Sequence, residues 1–113
     1  MSWIMVDIES DGPIPGDYSM IEIGAVIVDD RLDTTFYSQI KPISDNYKME
    51  SLAVSGYSRE DTLSFRNPEE VMLDFKTWIL QNSVGKPLFI SDNNGFDWMF
   101  VCWYFHHFLS DNP

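Results

Sequence analysis

The sequence predicts an α/β layer fold whose sheet mixes an antiparallel hairpin with a parallel strand, and three observations carry that prediction. Two β-branched and apolar runs, "MIEIGAVIVD" (20–29) and "TTFYSQIK" (34–41), are joined by the polar turn "DDRLD", a hairpin pattern. The short apolar run "PLFIS" (87–91) follows a helical crossover, and strands reached that way pair in parallel. The last element, 97–109, is apolar nearly all round, as a helix covered on most sides must be.

Taken in order, residues 3–7 read as a short strand that runs into Asp7 and Glu9. The stretch 20–29 reads as a longer strand, buried over most of its length, and 34–41 alternates Phe36, Ser38 and Ile40 with Tyr37, Gln39 and Lys41. "PISDNYKMESLAVSGYSRED" (42–61) is irregular, with room for one helical turn. Asn67 is placed to cap the next helix, Pro68 to open it, and Glu69 and Glu70 to sit at its positive end. Val71, Phe75, Trp78 and Ile79 share one face of it. The first strand is expected at the centre of the sheet, between 20–29 and 87–91.

The 113 residues form one domain, and 44% hydrophobic content with 15% aromatics is ample for a packed core. No basic segment precedes the N-terminal apolar run, so no signal peptide is expected. The longest apolar stretch, "WMFVCWYFHHFL", has 12 residues and two histidines, against roughly 20 for a bilayer span. A soluble, cytoplasmic protein is the expectation, and the single Cys102 reads as a core residue. With 18 acids against 7 bases the net charge is −11, which excludes a duplex-coating or sequence-reading nucleic-acid binder. It does not exclude an enzyme whose acids gather around divalent metals, because the metals invert the local field.

Asp7 and Glu9 lie two apart, so on an extended backbone their side chains point to the same side. Two neighbouring carboxylates repel, and a hard divalent cation with oxygen ligands relieves the repulsion. D-x-E alone is a weak motif, and a strand that simply ends in two solvated acids accounts for it too. A second constellation is "SDNNGFDWMF", where Asp97 opens a helix at the carboxyl end of a parallel strand, the place where open α/β sheets put their ligands. A helix cap among ordinary turn formers is the other reading of Asp97.

Four pieces in order, "VDIESDGP", "MIEIGAVIVD", "MESLAVSGYSRED" and "DNNGFD", resemble the DEDDh, or DnaQ-like, 3′-to-5′ exonucleases of ribonuclease H-like fold, a family that includes ribonuclease T and oligoribonuclease. The resemblance spans about residues 3–109. It implies hydrolysis of phosphodiester bonds at the 3′ end of single-stranded nucleic acid with two Mg²⁺ or Mn²⁺ ions, one activating a water and the other steadying the leaving 3′ oxygen. Asp7, Glu9 and Asp97 would be the metal-binding catalytic residues, Asp7 shared by both ions. Ser10 and Gly12 would receive the terminal nucleotide, Leu52 and Ser55 would line its base and sugar, and Asn93 and Phe96 would border the scissile nucleotide. RNA is slightly favoured over DNA, and a homodimer is implied.

The chain departs from the family in three places. Ser10 and Asp11 stand where a threonine pair is common, and Asp92 where a histidine is. The third motif, a histidine five residues before a fourth metal-binding aspartate, has one counterpart by spacing, His106 and Asp111. On an unbroken helix from Asp97 that histidine falls on the opposite face and Asp111 about 21 Å along the axis, so the pair is a decoy. The domain is therefore expected to be incomplete at its C-terminal end and inactive by itself. The aromatic residues of 97–109 are expected to exceed what the chain can cover and to drive self-association. Two other readings remain: a degenerate member that binds a nucleotide or a protein without cutting, and an acidic interaction module.

Overall fold

The computed structural model describes all 113 residues. Strand β1 (Ser2–Ser10) runs through both acids instead of stopping before them, because its charged side chains point to the face of the sheet away from the helical core. β2 (Met20–Ile27) pairs antiparallel with β1, and β3 (Thr35–Gln39) antiparallel with β2. β4 (Pro87–Ile90) lies parallel to β1 on its other side, with Met5 opposite Ile90. The order β3-β2-β1-β4 puts β1 at the centre, as the sequence predicted.

Four helices complete the chain: α1 (Met49–Ser55), α2 (Arg59–Thr62), α3 (Pro68–Asn82) and α4 (Asn94–Leu109). α3 begins as read, with the Asn67 side chain accepting the Glu69 N–H at 2.9 Å. α1 and α2 replace the single turn expected in 42–61. α1 ends at Gly56, whose φ of 82° is a left-handed cap open to glycine, and α2 is closed by a Ser58–Asp61 capping box.

α3 and α4 pack on one face of the sheet. Ile4, Val6 and Ile8 from β1 meet Phe75 and Ile79 from α3 and Phe100, Tyr104 and Phe105 from α4 in a single core. Phe75 stacks on Phe105 with ring centroids 5.6 Å apart. Tyr104 is fully buried, and its hydroxyl accepts the Met20 N–H at 2.8 Å, which fixes α4 against the start of β2. Burial pushes the Tyr104 phenol well above its ordinary range.

The sequence led to the expectation that part of the aromatic surface of α4 would exceed its cover. Phe100, Val101, Tyr104 and Phe105 are buried, and Trp98, Met99, Trp103 and Phe108 are partly buried. Part of the cover comes from the segment after β1: the Trp103 ring lies against Gly16, 3.3 Å from where a Cβ would stand. The residues left exposed lie elsewhere, among them Trp3, Val28 and Tyr37 on the sheet. No helix is long and apolar enough to cross a membrane.

Candidate active site

Alternation along β1 is strict. Ile4, Val6 and Ile8 face the helices, while Trp3, Met5, Asp7 and Glu9 face the open side. Asp7 is exposed and sits opposite Gly24 of β2; Glu9 is partly exposed and sits opposite Glu22. Two residues apart on one face, the two acids have backbone positions about 6.6 Å apart. The register slips between Glu9 and Ser10, leaving Ile21 as an extra residue in β2, a bulge that turns the chain away directly after the second acid.

Asp97 arrives from the far side of β1. β4 ends at Ile90 beside Met5, and Ser91 to Asn93 lead into α4 with Asp97 in its first turn. Asp97 is not the helix cap; Asn93 takes that position, and Asp97 is only 5% exposed. The Ser91 hydroxyl donates to its carboxylate at 2.6 Å, which fixes the side chain's direction.

Glu9 and Asp97 are each shifted by their surroundings. Burial raises Glu9 above the usual carboxylate range, and the charges of Asp7, Glu22 and Asp97 raise it further. Burial raises Asp97 too, with Asp7 and Asp92 adding to the shift and the Ser91 hydroxyl opposing it. Acidic oxygen donors, two of them pushed towards protonation by burial and then by neighbouring charge, are of the kind a hard divalent cation takes. In their present positions no three His, Cys, Asp or Glu side chains stand close enough to hold an ion together.

The other predicted residues surround this patch in different ways. Ser10 is buried, and its hydroxyl donates to the Gly12 carbonyl at 2.8 Å. Gly12 lies flat against Tyr18, leaving no room for a side chain. Leu52 is 3% exposed, packed under α1. The Ser55 hydroxyl donates to the Leu52 carbonyl at 2.7 Å and so is used within its own helix. Asn93 is exposed at the start of α4, and Phe96 packs on Phe100 at 5.2 Å. His106 and Asp111 are away from the acids. Both lie at the far end of α4, where Asp111 pairs with Lys76 of α3 at 2.5 Å and lies below its ordinary pKa range through that bond. His107 stacks on Trp103 at 4.4 Å.

Two neighbours of the patch were not singled out from sequence. Asp11 is fully buried and ties four segments together. Its carboxylate accepts the Ser19 N–H at 2.6 Å and pairs with Arg59 at 3.1 Å, and its carbonyl accepts the Lys48 N–H at 2.8 Å. Arg59 also donates to the Ser44 carbonyl at 2.6 Å and lies over the Tyr47 ring. Burial raises Asp11 above the usual range, opposed by the Ser19 N–H and by Arg59. A lone acid before Gly-Pro, in a chain with only seven bases to pair with, was the available signal. The second neighbour is Glu22, opposite Glu9, which accepts hydrogen bonds from both Tyr37 and Tyr57.

Comparison with known proteins bears on the fold and the family resemblance. The chain is 40% identical over 116 aligned residues to the 3′-5′ DNA exonuclease Cap18 of Escherichia coli, an alignment that takes in 98% of the chain. The chain resembles the DEDDh 3′-5′ exonucleases in sequence and in fold. It spans about 60% of the length of that curated relative. E. coli exonuclease I in complex with a dT13 oligonucleotide superposes with a TM-score of 0.79 at 16% identity, over 95% of this chain and 24% of that one. The zinc-bound form of the exonuclease I–ssDNA complex gives 0.78 at 16% identity over the same shares. At that identity the structural match speaks for the ribonuclease H-like fold, which the four-stranded mixed sheet shares. No protein-family model matches the chain.

Proposed function

We propose that this chain carries the metal-binding part of a 3′-5′ exonuclease that removes nucleotides from single-stranded DNA. The observation that supports the reading is that acids from two elements influence one another, the charges of Asp7 and Asp97 adding to the upward shift of Glu9 and that of Asp7 to the upward shift of Asp97. The names of the relatives turn the substrate from the RNA favoured by the sequence towards DNA.

Asp7, Glu9 and Asp97 would hold two Mg²⁺ or Mn²⁺ ions, with Asp7 shared between them. When bound, such ions supply an activated water and stabilisation of the leaving 3′ oxygen. The chain's own part is positional. β1 holds Asp7 and Glu9 in one direction, and the Ser91 hydroxyl orients Asp97. The bulge after Glu9 carries Ser10 to Gly12 across the end of the strand, where backbone groups would receive the terminal nucleotide. Leu52 and Ser55 of α1, and Asn93 and Phe96 at the start of α4, would border that nucleotide.

A second reading, a member that binds single strands without cutting, is favoured by one observation. His106 and His107 lie about 13–15 Å along α4 from Asp97, so these residues provide no general base beside the acids. Homodimer formation would use the exposed sheet face and not α4. A cytoplasmic setting fits the single Cys102.

The test is incubation of the chain with Mn²⁺ and 5′-labelled single-stranded DNA or RNA of one sequence. The exonuclease reading expects no ladder from the chain alone and, from a version extended through the third motif, a ladder shortening from the 3′ end on DNA that Asp7→Asn abolishes. Retained binding with no ladder from either would favour the second reading. No binding and no cleavage would remove both.

A further inference from the structure

Glu22 holds a carboxylate next to the acid patch that the mechanism above does not use, and its partners come from two places. The Tyr37 hydroxyl donates to it from β3 at 2.5 Å, and the Tyr57 hydroxyl donates to the same oxygen from the residue after the α1 cap. Gln39 of β3 donates its side-chain amide to the Tyr57 hydroxyl at 2.9 Å, and the two tyrosine hydroxyls are 3.2 Å apart. The Tyr57 ring meets Phe65 edge-on at 5.0 Å, and its N–H donates to the Ser55 hydroxyl at 3.2 Å. At the other end of the helix the Lys48 N–H is held by the Asp11 carbonyl.

α1 needs such anchoring. It has seven residues, no side-chain cap at its start, no basic residue in its last turn and one buried side chain, Leu52. A helix this short is marginal by itself. Directly after it, Gly56 adopts a left-handed turn, and Tyr57 is the first residue beyond that turn. The bond that holds it ends on a carboxylate, and hydrogen bonds to charged acceptors are the strong class.

We propose that Tyr57, through its hydrogen bond to Glu22, is a positioning residue that sets α1 over the acid end of the sheet and thereby holds the single strand's 3′ end in register. The proposal rests on the reading of Leu52 and Ser55 as lining the substrate. Tyr37 bonds the same carboxylate from within the sheet, and although its hydroxyl lies 3.2 Å from that of Tyr57 it makes no hydrogen bond to α1 itself. That difference separates positioning from a general effect of the Glu22 environment.

The experiment compares Tyr57→Phe with Tyr37→Phe in the full chain, by native-state amide hydrogen exchange and by anisotropy of a fluorescent single-stranded oligothymidylate in the presence of Mn²⁺. Tyr57→Phe keeps the ring on Phe65 and removes only the hydroxyl. Loss of a bond to a charged acceptor should speed exchange in residues 50–56 about tenfold and weaken oligothymidylate binding about tenfold, with α3 exchange unchanged. Tyr37→Phe should leave α1 exchange and binding within about twofold of wild type. Equal effects of the two substitutions, or α1 exchange unchanged in Tyr57→Phe, would overturn the proposal, as would loosened α1 with undiminished binding. Failure of the wild-type chain to bind oligothymidylate at all would instead overturn the exonuclease reading on which it rests.

Discussion

The two faces of β1 are made from alternate residues of one nine-residue strand and have opposite character. Ile4, Val6 and Ile8 are 3%, 1% and 5% exposed under α3 and α4, whereas Trp3 is 50% exposed and Asp7 is exposed as well. The closed face gains stability from apolar area removed from water, on the order of 1.5–3 kcal/mol for each large side chain. The open face loses stability, because it keeps Glu9 and Asp97 partly desolvated beside like charges. The fold is anchored on the closed side of the strand, and the acids Asp7 and Glu9, with Glu22 opposite, gather on the other.

The largest expected effect belongs to the closed face. Phe75 is 1% exposed and packs with Phe36, Trp78 and Phe105, so Phe75→Ala should cost about 3–5 kcal/mol in urea unfolding. A cost below about 1 kcal/mol would mean the two faces do not differ as described. Next comes the link between them. Arg59→Met leaves Asp11 buried without its counter-charge and should destabilise by about 3 kcal/mol, while a double Asp11→Asn, Arg59→Met variant should recover part of that loss.

On the open face the sign reverses. Asp97→Asn removes a buried carboxylate that burial and the charges of Asp7 and Asp92 raise above its ordinary pKa, so at neutral pH the variant should be more stable than wild type. The pH dependence follows. Folded pKa values of Glu9 and Asp97 lie above the unfolded ones, so their contribution is full below the ordinary carboxylate range and is lost as pH rises through the folded values. The stability gap between Asp97→Asn and wild type should therefore open as pH rises from about 4 towards 7, read by thermal melts at each pH. A gap that widens towards acid would contradict the assignment. The smallest effect is expected at Trp3, half exposed on the open face: Trp3→Ser should change stability by no more than about 0.5 kcal/mol while lowering any self-association seen in sedimentation.

Much of this was legible in the sequence, for physical reasons that differ by element. The hairpin, α3 with its Asn67 cap and the parallel β4 follow from periodicity and local punctuation, which are properties of short stretches. The end of β1 was misjudged because a charged residue interrupts an apolar run without interrupting a strand whose other face is open. α1 and α2 were not legible as helices, since they are held by the Asp11, Arg59 and Tyr57 tethers and not by an apolar stripe. The cover on α4 was underestimated because the Gly16 segment that lies on Trp103 comes from the far end of the sequence. Asp7 and Glu9 could be paired by spacing alone. Joining Asp97 to them required the family resemblance, and the Glu22–Tyr57 contact depends on tertiary placement that no local pattern announces.

The account's central claim is that the open face is a divalent-metal site built by Asp7, Glu9 and Asp97. Calorimetric titration of Mn²⁺ into the wild-type chain and into an Asp7→Ala, Asp97→Ala double variant tests it most directly. The account predicts saturable binding to wild type that is lost in the double variant, with the variant still folded and at least as stable. Mn²⁺ binding of equal affinity in both proteins would contradict it.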